Sequence, residues 1–159
     1  MSEASGAPRN APFTALLMAG CRGPSDPVAS HCGISHKALA PILGEPMVEH
    51  VLRTLAAAPE VGSIIAVIED PALLEALPTA RALLDEGRLR ITTAAPSPSQ
   101  SVTKVLDEFS PYPALVTTAD HPLLTPAMIA DFVAKIPAGV DVAALVATER
   151  TIRAEHPET

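Results

Sequence analysis

Short apolar runs alternate along this chain with stretches whose apolar residues recur at helical spacing, and that alternation limits the fold more than any single motif does. Phe13 to Met18, Ser63 to Ile68, Leu89 to Thr93, Ala114 to Thr118 and Asp141 to Ala147 are the lengths of buried strands. Between them, Met47, Val48, Val51, Leu52 and Leu55 fall on one side of a helix opened by Pro46, while Glu49, His50 and Arg53 take the other directions. A leucine-rich helical region through Leu84 can start at Pro71, must be interrupted at Pro78, and closes at Gly87. Ser99 is expected to cap a helix carrying Val102, Val105, Leu106 and Phe109, and Thr125-Pro126 opens one carrying Ile129, Phe132, Val133 and Ile136. Strand and helix in turn predict an α/β fold, since parallel neighbours need a crossover and crossover helices cover both faces of the sheet.

The chain has 159 residues, 48% of them hydrophobic, enough for one core and too few for two. Residues 13–147 are expected to form that domain, behind a flexible tail over 1–12 and ahead of a polar segment, 148–159, that starts a further element. Aromatic residues make up 3%, so the core must come from Ala, Val, Leu and Ile. A net charge of -7 argues against a broad basic face for nucleic acid, but two or three local cations still suffice for a small phosphorylated ligand. No apolar run approaches the roughly 20 residues that cross a bilayer, so no membrane contact is expected, and Met1 to Pro12 lacks the order of a secretory signal. Cys21 and Cys32 have no zinc-like spacing and read as free thiols in a reducing cytoplasm.

Two places carry the chemistry. Ala19 to His36, after the first strand, contains Gly20, Gly23, Pro24, Pro27 and Gly33 without apolar periodicity and is expected to be irregular. Small residues there let backbone N–H groups approach a ligand, and Arg22 and Lys37 can neutralise phosphate oxygens. The bland alternative is a glycine-rich surface loop with solvated cations, and neither a Walker A nor a dinucleotide pattern occurs. Asp120 follows the strand Ala114 to Thr118 and is either a turn cap before Pro122 or a hard carboxylate for a divalent cation. Both places lie at carboxyl ends of strands, where ligands of parallel sheets collect. Ser99, Gln100 and Ser101 could read a base edge, although Ser99 as a simple N-cap is the more economical reading.

Taken in order, Leu17-Met18-Ala19-Gly20, Arg22, Lys37-Ala38-Leu39, Gly44-Glu45-Pro46-Met47 and Thr117-Thr118-Ala119-Asp120-His121-Pro122-Leu123-Leu124 resemble the nucleotidyltransferase superfamily, most closely its MobA-like group. The resemblance runs from Phe13 to Ala147. It implies a three-layer α/β/α sandwich, like that of the nucleotide-diphospho-sugar transferases. It also implies an Mg²⁺-dependent enzyme that moves a nucleotidyl group from a nucleoside triphosphate to a phosphorylated acceptor, releasing pyrophosphate. On that resemblance, Met18, Ala19 and Gly20 contact the nucleotide, Arg22 and Lys37 hold its phosphates and stabilise the transition state, and Asp120 binds the metal. Ser99, Gln100 and Ser101 match a segment that recognises base and ribose.

The sequence departs from the family in two places. Gly23 to His36 is a long insertion where the family has a compact G-x-[RS]-[MF]-G pattern. The family's second acidic metal ligand lies beyond the strand at Asp141 to Ala147, past the end of these residues. The expectations that follow are an incomplete sheet edge prone to self-association, and, as an alternative to catalysis, a nucleotide-binding module without turnover. A nucleotide-sugar glycosyltransferase ranks last, because no D-x-D motif occurs.

Overall fold

Val, Ile, Leu and Ala dominate the two strands at the centre of the sheet, and in the computed structural model, which describes residues 12–21 and 26–155, those strands are covered on both faces. The strands β1 (Phe13–Met18), β4 (Val61–Ile68), β5 (Leu89–Thr93) and β6 (Ala114–Thr118) pair in the order β5-β4-β1-β6, and every pairing is parallel. Alternate residues point to opposite faces. Ala15, Leu17, Ile64, Ala66 and Ile68 join one apolar cluster, while Leu16, Ile65 and Val67 join another.

The first cluster is closed by three helical segments. α2 (Met47–Ala57) contributes Val48, Val51, Leu52 and Leu55, the pair α3 (Ala72–Glu75) and α4 (Pro78–Asp85) contributes Leu74, Ala80 and Leu83, and α6 (Pro126–Lys135) contributes Ile129. On the other face α5 (Pro98–Phe109) places Val105 against Leu16 and Val67, with Met18, Val102, Leu106 and Phe109 packed around them. Helices therefore lie on both faces of a parallel sheet, the α/β/α arrangement expected from the alternation.

The break at Pro78 arises as predicted, because a proline ring cannot continue α3 but suits the first turn of α4. Glu49, expected to face away from the core, is instead 5% exposed. Its carboxylate accepts the backbone N–H of Thr79 at 3.2 Å, taking over at α4 the capping role that the N-cap residue Leu77 has no polar side chain to fill. A buried carboxyl group is tolerated there because its oxygen meets an amide at a helix start.

The structure corrects three expectations. The insertion is not wholly irregular: α1 (Pro27–Cys32) forms inside it, capped by the Asp26 side chain at the Val28 and Ala29 amides and ended by Gly33 at φ 65°. The cap of α5 is Ser97, whose hydroxyl accepts from Gln100 N, because Pro98 takes the first helical position and leaves Ser99 inside the first turn. Asp141 to Ala147 is not a strand. It runs beside no described partner and exposes Val142, Leu145 and Val146, and the polar segment after it forms α7 (Glu149–Glu155). A two-stranded hairpin, β2 (Pro41–Ile42) with β3 (Glu45–Pro46), turns the chain from the Lys37–Leu39 helical turn into α2.

Candidate functional site

β1 and β6 are adjacent and parallel with Met18 beside Thr118, so their carboxyl ends release the chain side by side. The next residue of each strand extends the sheet locally: Ala19 N–H donates to Val67 O, and Ala119 N–H donates to Met18 O, both at 2.9 Å. Ala19 and Ala119 are buried, and the residues that follow them, Gly20 and Asp120, are exposed. This register aligns the glycine loop with Asp120, 100 residues further along the chain.

Lys37 and Asp120 meet at this edge. Lys37 Nζ donates to Asp120 Oδ2 at 2.7 Å, although 83 residues separate them. The one-turn helix Lys37–Leu39 makes this contact, anchored by buried Ala38 and Ala40. The Thr118 hydroxyl donates to the other oxygen, Asp120 Oδ1, and His121 Nε2 stands 4.0 Å from it. Partial burial alone would raise the Asp120 pKa, but hydrogen bonds from Lys37 and Thr118 outweigh it, and the carboxyl titrates below the ordinary aspartate value. Asp120 is thus a carboxylate at neutral pH, facing solvent at a strand end beside a cation. A cavity of about 340 Å³ adjoins it, walled by His121, Pro122, Leu123, Leu124 and Met128.

The remaining expected residues fall into two groups. Gly20 lies against the end of β5, where a Cβ at Gly20 would stand 3.7 Å from that of Ala94. Ser101 is buried, and its hydroxyl accepts the Ala95 amide at 2.9 Å, so it pins the turn that adjoins Gly20. Ser99 and Gln100 are exposed on the first turn of α5. Met18 packs its side chain toward α5, leaving only its backbone at the site. Arg22 lies outside the described residues.

Two participants escaped the sequence reading. Glu69, first residue past β4, accepts the Cys21 amide with both oxygens, at 3.0 and 3.1 Å, and stands 3.3 Å from His36 Nε2. Thr118 orients Asp120. The rule that ligands gather at carboxyl ends of strands applies to Glu69 as much as to Asp120 and would have found it. A second cavity, about 540 Å³, opens beside Cys21, His36 and Glu69 under α1.

Residues 16–157 match the model of the MobA-like NTP transferase domain family. No curated protein matches the chain by sequence. Among solved structures, a hypothetical transferase from Thermus thermophilus is 26% identical with a TM-score of 0.62, over 92% of this chain and 56% of that one. A nucleotidyl transferase from Methanothermobacter thermautotrophicus is 21% identical with a TM-score of 0.57, over 77% and 57%. CMP:2-keto-3-deoxy-manno-octonic acid synthetase in complex with CTP is 17% identical with a TM-score of 0.56, over 78% and 46%. The chain therefore spans about half the length of the structures it resembles. The last two likenesses concern the fold alone.

Proposed function

The chain belongs to the MobA-like NTP transferase family, and from that premise we propose that it carries the nucleotide-binding part of an Mg²⁺-dependent nucleotidyltransferase. The reaction would move a nucleoside monophosphate from a nucleoside triphosphate to a phosphorylated acceptor and release pyrophosphate. The observation that carries this reading is the Lys37–Asp120 contact, which joins a cation on the Lys37–Leu39 turn to a hard carboxylate just past the carboxyl end of β6.

Lys37 would pair with phosphate oxygens and stabilise charge growing on the α-phosphate and the departing pyrophosphate, an electrostatic role that needs no covalent intermediate. Ala19 already gives its amide to Val67, so its contact with a nucleotide would be one of shape, and Gly20 lets the ligand come close to the backbone. Ser101 would act indirectly by fixing the Ala94-Ala95 turn, while Ser99 and Gln100, which are exposed, would meet base or ribose. Asp120 is a hard oxygen donor, and among the described residues no group of three His, Cys, Asp or Glu side chains surrounds a cation position. That donor set fits Mg²⁺, which commonly takes one or two carboxylates and completes its shell with water and phosphate oxygens. When bound, the ion would neutralise phosphate charge and align the triphosphate. Asp120 would be the residue that holds the ion, and Lys37 beside it would be the cation that holds phosphate oxygens.

Calorimetric titration with CTP, GTP, ATP and UTP, with and without Mg²⁺, tests this. One triphosphate should bind in an Mg²⁺-dependent manner, and Lys37→Ala and Asp120→Ala should each weaken it at least tenfold, about 1.4 kcal/mol. Tight binding untouched by either substitution would remove both residues from the site. Binding without pyrophosphate release, in the presence of candidate acceptors, would favour a nucleotide-binding module over an enzyme.

A further inference from the structure

Among the described residues, two groups through which this rim would hold an anion already face a carboxylate of the protein. Lys37 faces Asp120, which the proposed mechanism uses, and the Cys21 amide faces Glu69, which it does not. The approach to Glu69 is close: a Cβ at Gly20 would stand 3.1 Å from Glu69 Oε1, near enough that the carboxylate would have to yield by a few tenths of an ångström. Glu69 is a carboxylate on a loop amide, the position a phosphate oxygen takes in anion-binding loops.

We propose that Glu69 is a built-in competitor for the phosphate subsite, covering the Cys21 amide in the free protein and swinging off it when a polyphosphate enters. The proposal rests on the nucleotide-binding reading above. A carboxylate and a phosphate cannot share one amide, because two anions a few ångströms apart repel each other. Glu69 has somewhere to go. Its side chain is 43% exposed, against 13% for His36, and it already lies 3.3 Å from His36 Nε2. His36 Nδ1 is in turn 2.9 Å from Ser35 Oγ, which fixes the ring as the partner Glu69 keeps after leaving the amide. The cavity of about 540 Å³ bounded by Cys21, Ser35, His36 and Glu69 gives the side chain room to turn. Ligands carrying several negative charges displace Glu69, whereas a neutral nucleoside gains nothing from its departure. The device therefore weakens binding of polyphosphates, raising the concentration needed for occupancy.

Inorganic tripolyphosphate, which has the charges and no base, is the probe. Titrated calorimetrically into the full chain, it should bind Glu69→Gln about tenfold more tightly than the unmodified protein, because one opposing charge beside several phosphates is gone while the shape remains. Raising the salt should narrow that gap, which loss of a purely structural contact would not produce. Glu69→Ala serves as the second variant if the first melts early, with the same direction expected, and Lys37→Ala should weaken binding. Equal or weaker binding by both Glu69 variants, with Lys37→Ala still impaired, overturns the proposal and leaves the nucleotide-binding reading standing. If neither tripolyphosphate nor any nucleoside triphosphate binds the unmodified protein or the variants, the reading and the proposal fall together.

Discussion

The centre of the sheet and its β6 flank are built from the same kinds of residue and end in opposite environments. Ala15, Leu16 and Leu17 of β1 are fully buried, and Ile64 to Ile68 of β4 are nearly so. On the flank Val116 is half exposed and Leu123 is 84% exposed, and further along the chain Val142, Leu145 and Val146 are at least 77% exposed. β1 has a strand on each side and a helix layer on each face, whereas β6 pairs with β1 alone and is the edge of the described sheet. Branched apolar side chains do not make a core by composition. They do so when pairing and both helix layers arrive together.

The largest expected effect breaks that comparison if it fails. Leu52, fully buried in α2 against β1 and β4, should lose about 3 kcal/mol of stability as Leu52→Ala, since truncation leaves a cavity the strands cannot close. Val142→Ser, at a site that touches little, should change stability by less than about 0.5 kcal/mol. Urea melts of the two variants should bracket the range. Similar losses at both positions would mean that the segment around Val142 is packed in solution as tightly as the centre.

A smaller effect separates three serines within five residues at the start of α5. Ser101→Ala removes the buried acceptor of the Ala95 amide and should cost about 1.5 kcal/mol, the penalty of an unpaired amide. Ser97→Ala removes the cap at Gln100 N and should cost about 1 kcal/mol. Ser99→Ala, exposed in the first turn, should be close to neutral. A Ser99 variant less stable than the Ser97 variant would return the cap to Ser99.

Both the correct and the corrected sequence readings have physical reasons. Leu89 to Thr93 and Ala114 to Thr118 match β5 and β6, and Thr125-Pro126 does open α6, because each is bounded by residues whose backbone preferences stop or start an element. The reading of Ser99 as a cap overlooked that Pro98 suits the first helical position, which puts the cap at Ser97. Within the insertion, Asp26-Pro27 and Gly33 are start and stop signals, overlooked because the six residues of α1 are too few to show apolar periodicity. Asp141 to Ala147 has the composition of a strand, but a strand exists only where its backbone finds a partner. At the site, Lys37 and Asp120 were legible from motif order, while Glu69 was not, since its meaning comes from the loop opposite it.

The Lys37–Asp120 bond ties the turn beside the buried centre to the end of the thinly packed flank, and its pH dependence measures how firmly. Both side chains are more than a third exposed, so solvent screens the pair and its contribution should stay below about 1 kcal/mol. The folded-state pKa of Asp120 lies below its unfolded value. In the interval between the two values the unfolded chain binds more protons, so stability rises with pH there. The contribution is therefore fully present above the unfolded value of about 3.9 and is lost as pH falls through the folded one. Lys37→Met removes the partner without adding a titrating group, and other acid-shifted carboxylates such as Glu45, held low by its bond to Arg53, remain in both proteins and cancel. The stability difference between the unmodified protein and Lys37→Met, from urea melts at successive pH values, should be constant near neutrality and close in the acid range below about pH 3.9. A difference that persists unchanged below the pH at which Asp120 protonates would show that Lys37 acts on stability through something other than its bond to Asp120, and that the ion pair contributes nothing to holding the two regions together.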